Sequence, residues 1–192
     1  MNYVRGFIPW IAFAVVSSVG WQWGAVAGLV AGAGLLVKEH KAGAAGNALI
    51  LEVSTVCFFV AITALAFALP HSGLRHFAGA LSLGWLALTA WATLAVGRPF
   101  TTGIAKTQAP PEVWDTPVFR RINVVITSAW ALAFTVTGVA LAAVSAAGLG
   151  SAISVPVQVA GFALPAVFTA RHPERVRARY ARQAGEPLLA DR

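Results

Sequence analysis

Charge is what this chain has least of. Only 11% of its 192 residues are Asp, Glu, Lys or Arg, against roughly 25% in an ordinary soluble domain. No charged residue falls between Gly6 and Val37. That excludes a soluble fold, because an apolar run of about 20 residues already spans a bilayer. Cysteine is nearly absent too. Cys57 is the only one and lies in an apolar run, so no intramolecular disulfide forms. No CxxC, HExxH, GxSxG or phosphate-loop pattern occurs, nor the paired aspartates of a membrane phosphotransferase. No catalytic residue, metal site or cofactor is therefore expected. His71 and His76 in "HSGLRH" lack nearby Cys or carboxylates and make a poor metal clip.

What remains is hydrophobic: 58% of the chain. It is expected to be all-α, a polytopic transmembrane bundle over 1–170 followed by a basic cytoplasmic tail over 171–192. Six helices are predicted, at about 6–19, 22–37, 47–69, 77–97, 117–146 and 152–170. "GWQWG" at 20–24 breaks the first pair, its glycines favouring a turn and Trp21 and Trp23 the interface. One long bent helix there would give five spans instead. Met1–Val19 with Ala25-Val26-Ala27 has the outline of a signal peptide. The apolar pattern continues through that site, as in a helical hairpin.

Charge placement favours six spans. Thirteen of the 14 Lys and Arg then share one side with both termini, and only Arg75 lies opposite. Basic residues collect on the cytoplasmic side, so both termini and the long 98–121 connection are placed inside the bacterial cytoplasmic membrane. The net charge of +7 is thus read as topological, with the bilayer and not nucleic acid as partner.

Gly24, Gly28 and Gly32 recur every four residues on one face, a spacing that lets helix backbones approach closely. Packing within the chain is the first reading and a homodimer the second. Glu52 is the one carboxylate inside a predicted span, about a turn and a half from the cytoplasmic entrance. Intramembrane ionisable groups are functional candidates by default. With Arg98, Asn123 and Gln158 it would form a polar site opening to the cytoplasm. The plainer alternative is a shallow structural Glu52–Arg98 pair.

The stretch "VGRPFTTGIAKTQAPPEVWDTPVFRRINVV" is the longest polar connection. Pro99 is expected to stop the fourth helix, Trp114 to anchor the loop, Asp115 to cap the fifth helix, and Pro117 to occupy its first turn. Arg98, Trp114, Arg120 and Arg121 are then partner or lipid contacts. Arg175 and Arg179, at helical spacing in the tail, would meet anionic headgroups.

The segments "FIPWIAFAVV" at 7–16, "GRPFT" at 97–101, "PPEVW" at 110–114 and "FRRINVVITSAWALAF" at 119–134 resemble the intracellular septation protein A family of bacterial inner-membrane proteins. The similarity spans roughly 5–170, with a longer, more proline-rich loop here. It implies cell-envelope or division-related organisation through contacts with other membrane proteins and does not imply a reaction. The alternative from the residues themselves is a small-solute or proton-coupled transporter or channel subunit.

Overall fold

The computed structural model describes residues 3–44, 46 and 49–183, with the backbone alone at 3–4, 151, 175 and 177–183. It is helical throughout, without a strand among the described residues. In chain order the α-helices are α1 (Tyr3–Gly6), α2 (Ile8–Val16), α3 (Trp21–Lys41), α4 (Ile50–Ala68), α5 (Ala78–Ala95), α6 (Thr101–Lys106), α7 (Pro117–Ala146) and α8 (Ser151–Gln183). Short 3-10 turns occupy Gly73–Phe77 and Pro111–Val113.

Four helical stretches are long and apolar enough to cross a membrane: Ile50–Ala68, Gly73–Ala95, Pro117–Ala146 and Ala152–Glu174. Large apolar side chains such as Val19, Val30, Val96, Val136 and Leu164 stand exposed, which suits lipid and not water. The first two predicted segments differ from the other four. α2 has nine residues, about 14 Å of helix against a hydrocarbon core of about 30 Å. α3 has 21 residues but ends in Lys38, Glu39, His40 and Lys41.

α2 and α3 form an antiparallel hairpin and not one bent helix. A Cβ on Gly24 would strike Phe13 and Ser17, and one on Gly32 would lie 3.8 Å from Pro9. Gly28 sits under the Phe59 ring of α4, which a Cβ would penetrate. The glycine face is therefore occupied within the chain. Trp21, expected at the interface, is buried and donates from Nε1 to the Pro70 carbonyl at 3.2 Å. Trp23 is the exposed one.

Packing divides the bundle into two groups of three. α3 lies between α2 and α4, and α7 lies between α5 and α8. Aromatic rings join the groups: Phe7 stacks on Trp130 with centroids 4.9 Å apart and meets Phe162 at 5.3 Å. Within the first group, Trp10 meets Phe58 at 4.9 Å and Phe59 at 5.0 Å. Such ring contacts supply the packing energy that apolar burial does not provide between helices in lipid. α8 contributes a narrow stripe, Gly161, Pro165 and Thr169, each one turn apart and buried. Thr169 accepts from Trp130 Nε1 at 2.8 Å and donates to the Pro165 carbonyl at 2.8 Å.

A polar ring joins α4 to α5. Trp85 Nε1 donates to Ser54 Oγ at 2.9 Å, and Thr89 Oγ1 donates to the Trp85 carbonyl at 3.0 Å. Each hydroxyl has one proton. Ser54 must therefore be the donor in its 2.6 Å bond with Thr89. α8 does not stop near 170. It runs through Pro173 to Gln183, so the basic segment begins as an extension of the last helix. Residues 184–192 lie outside the described ones.

Candidate functional site

The long connection is built from its helix ends inward. α5 closes in a left-handed turn: Gly97 has φ +69°, a conformation that costs other residues about 1–2 kcal/mol. Gly97 N–H donates to the Leu94 carbonyl at 3.0 Å and Arg98 N–H to the Thr93 carbonyl at 2.8 Å. These two bonds satisfy carbonyls the helix end would orphan. The chain then turns under the bundle. Pro99, Phe100 and Thr101 are all buried, so Phe100 enters the protein core and not merely the interface.

Thr101 opens α6, which the sequence reading leaves as loop. Its hydroxyl is the centre of a buried lock. Thr101 Oγ1 lies 3.1 Å from the Asn123 carbonyl, 3.2 Å from Asn123 Oδ1 and 2.8 Å from Thr127 Oγ1. One proton cannot serve three acceptors. Thr127 therefore donates to Thr101, and Thr101 shares its proton between the two oxygens of Asn123. Asn123 Nδ2 donates to the Phe119 carbonyl at 2.9 Å. Thr101 and Thr127 are fully buried and Asn123 is 1% exposed. Every member is satisfied, which makes this a rigid tie between α6 and α7.

The rest of the connection is fastened to itself. Trp114 Nε1 donates to the Ala109 carbonyl at 2.9 Å, and Lys106 Nζ lies 4.8 Å from the centre of the Trp114 ring. Thr116, not Asp115, caps α7: its hydroxyl accepts from Phe119 N–H at 3.3 Å and donates to the Val113 carbonyl at 2.7 Å. Pro117 follows at the first helical position. Asp115 is exposed and pairs with Arg120 at 4.0 Å. Outward from this framework stand Arg98, Arg120 and Arg121, all exposed.

The four residues expected to share a polar site do not converge. Glu52 lies in the first turn of α4, nearer the helix end than expected because α4 starts at Ile50 and not at 47. One of its oxygens, Oε2, is buried without a hydrogen-bond partner. Arg98 is exposed, and no ion pair joins it to Glu52 among the described residues. Asn123 is consumed by the lock. Gln158 Oε1 lies 3.9 Å from where a Cβ of Gly79 would be. Gly79 lies in the first turn of α5 and Arg98 follows its end, about 28 Å apart along the helix. Gln158 therefore belongs to the opposite end of the bundle.

The side chains of Arg175 and Arg179 lie outside the described ones. No three His, Cys, Asp or Glu side chains cluster among the described residues. Thr101 and Thr127 form the structural framework of the connection, which residue chemistry alone understated. Their signal in the sequence is a pair of small hydroxyl residues flanking the loop beside buried aromatics. Comparisons with known protein families, characterised proteins and solved structures find no match for this chain.

Proposed function

We propose that this chain is a six-span protein of the bacterial cytoplasmic membrane, with both termini inside, that organises the cell envelope in the manner of septation-type proteins. It acts through contacts and not through a reaction, and the 98–121 connection is its docking face. The observation that carries this reading is the Thr101–Asn123–Thr127 lock. The connection carries α6 and a 3-10 turn and is tied down by buried hydrogen bonds, and binding residues concentrate on connections held by a rigid scaffold. A rigid platform presenting Arg98, Arg120 and Arg121 suits acidic partner segments and lipid headgroups. The thirteen-to-one division of cations supports its cytoplasmic placement.

The test is site-specific photo-crosslinking from Gln108, which is exposed on this loop. Discrete adducts with membrane proteins are expected from Gln108 and not from lipid-facing Val139. Trp114→Ala, which releases the loop from Ala109 and Lys106, should abolish those adducts while the protein still inserts. Unchanged adducts in that variant would count against docking through this face.

One observation favours a second reading, a proton- or solute-coupled carrier: the unpartnered Oε2 of Glu52. Under it, Glu52→Gln should abolish pH-driven uptake in liposomes. Equal uptake by the two proteins removes Glu52 from any transport role.

A further inference from the structure

The other end of the bundle carries a different feature. Where α4 and α5 diverge, a groove of about 770 Å³ opens between α4, α5 and α7. Phe58, Leu65, Phe77, Trp85, Leu88 and Val139 define its walls. Its polar side chains are already committed: Trp85 Nε1 is bound to Ser54, and Thr135 Oγ1 donates to the Ala131 carbonyl at 2.7 Å. The groove therefore offers hydrocarbon surface alone.

Its depth is informative. From Phe77 to Leu88 is eleven residues, about 16 Å at 1.5 Å per residue. One leaflet of a roughly 30 Å hydrocarbon core measures about 15 Å. The groove lining therefore runs along α5 for about the depth of one leaflet. Trp85 forms part of its wall, with an indole fixed by Ser54 and 5.8 Å from the Phe58 ring.

Its mouth is polar. Leu74 and Phe77 frame it, with Arg75 and His76 between them. Arg75 is the only charged residue between Glu52 and Arg98, and the connections 17–20 and 147–150 at the same end carry none. Arg75 Nε donates to His76 Nε2 at 3.3 Å, and Ser145 Oγ holds the His76 carbonyl at 2.8 Å. The terminal guanidinium nitrogens stay free, and no carboxylate pairs with them among the described residues. At a membrane surface the available counter-charge is lipid phosphate.

We propose that this groove binds one anionic phospholipid, with an acyl chain between α4, α5 and α7 and its phosphate on Arg75 beside His76. The site requires only that the helices cross a bilayer, and stands whether or not the opposite loop docks a protein.

Native mass spectrometry of the full chain, equilibrated with equal dioleoyl phosphatidylglycerol and dioleoyl phosphatidylcholine, tests it. One phosphatidylglycerol should be retained per chain with about tenfold preference, the size a single charge-assisted hydrogen bond supports. Arg75→Gln combined with His76→Gln should bring the two lipids to equal retention. Gly84→Leu should remove both lipids, because Gly84 lines the groove and a Cβ there meets nothing within 4 Å. Leu88→Trp, at an exposed edge of the groove, should block it in the same way if Gly84→Leu does not fold. Retained preference in the Arg75 and His76 variant overturns the headgroup assignment. Retained lipid in a folded blocking variant, or a wild-type chain that holds no lipid, overturns the groove.

Discussion

Single hydroxyl groups decide more here than single charges. Thr101 is the clearest case, since its one proton and two lone pairs serve Asn123 and Thr127 at once. Removing that hydroxyl without changing shape leaves buried oxygens unpaired, at about 1–3 kcal/mol. Thr101→Val should lower stability by that amount in a detergent unfolding series, whereas Thr101→Ser should stay close to wild type. Loss in Thr101→Ser with none in Thr101→Val would assign the effect to the methyl and not to the hydrogen bonds. The same logic explains why intramembrane threonines and serines recur: Ser82, Thr135 and Thr169 each bond the carbonyl four residues back, so they cost little in lipid. Glu52 Oε2 is buried without a partner, as are the hydroxyls of Ser17 and Thr63, and of the three only Glu52 can carry a charge.

At the scale of elements, helix ends are set by backbone chemistry. Gly43, Gly97 and Gly148 each terminate a helix with positive φ, and Gly97 aims the chain at the lock. Gly97→Ala should cost about 1–2 kcal/mol through its left-handed backbone. Gly84→Ala, in a helix interior with open space, should gain about 0.5–1 kcal/mol. Opposite signs in thermal unfolding would verify the distinction; a shared sign would refute it.

Helix ends are also where the sequence was hardest to read. The apolar runs mark the four helices long enough to cross a membrane, because hydropathy reports directly on lipid, whereas the first pair of segments resolves into a nine-residue α2 and an α3 that ends in charge. α6 escaped because "TTGIAK" is short and rich in Thr and Gly, poor helix formers, and only the tie to α7 explains it. α8 was expected to stop where hydropathy falls, yet Arg, Ala and Glu are good helix formers and carry it to Gln183. The polar site failed on depth. Gln158 is seven residues from the start of α8 and Arg98 lies past the end of α5, so those two could be separated by counting. The Thr101–Asn123 pairing could not, since no periodicity links residues across a turn.

At the scale of the whole molecule, two groups of three helices meet through aromatic rings and the Ser54–Trp85–Thr89 ring. The charged loop lies at one end and the apolar groove with Arg75 at the other. That polarity has meaning only if the α2–α3 hairpin reaches across the bilayer, giving six crossings and placing Ser18 opposite Gln108. α2 is short enough that the membrane must thin or the hairpin tilt to allow it. The direct measurement is labelling of single cysteines, placed in a Cys57→Ser background, with an impermeant maleimide added to intact cells. The account predicts that Ser18→Cys and Leu149→Cys react at once, and that Gln108→Cys reacts only after permeabilisation. Protection of Ser18→Cys alongside Gln108→Cys would contradict it, reducing the spans to fewer than six and moving the N-terminal hairpin to one side of the membrane.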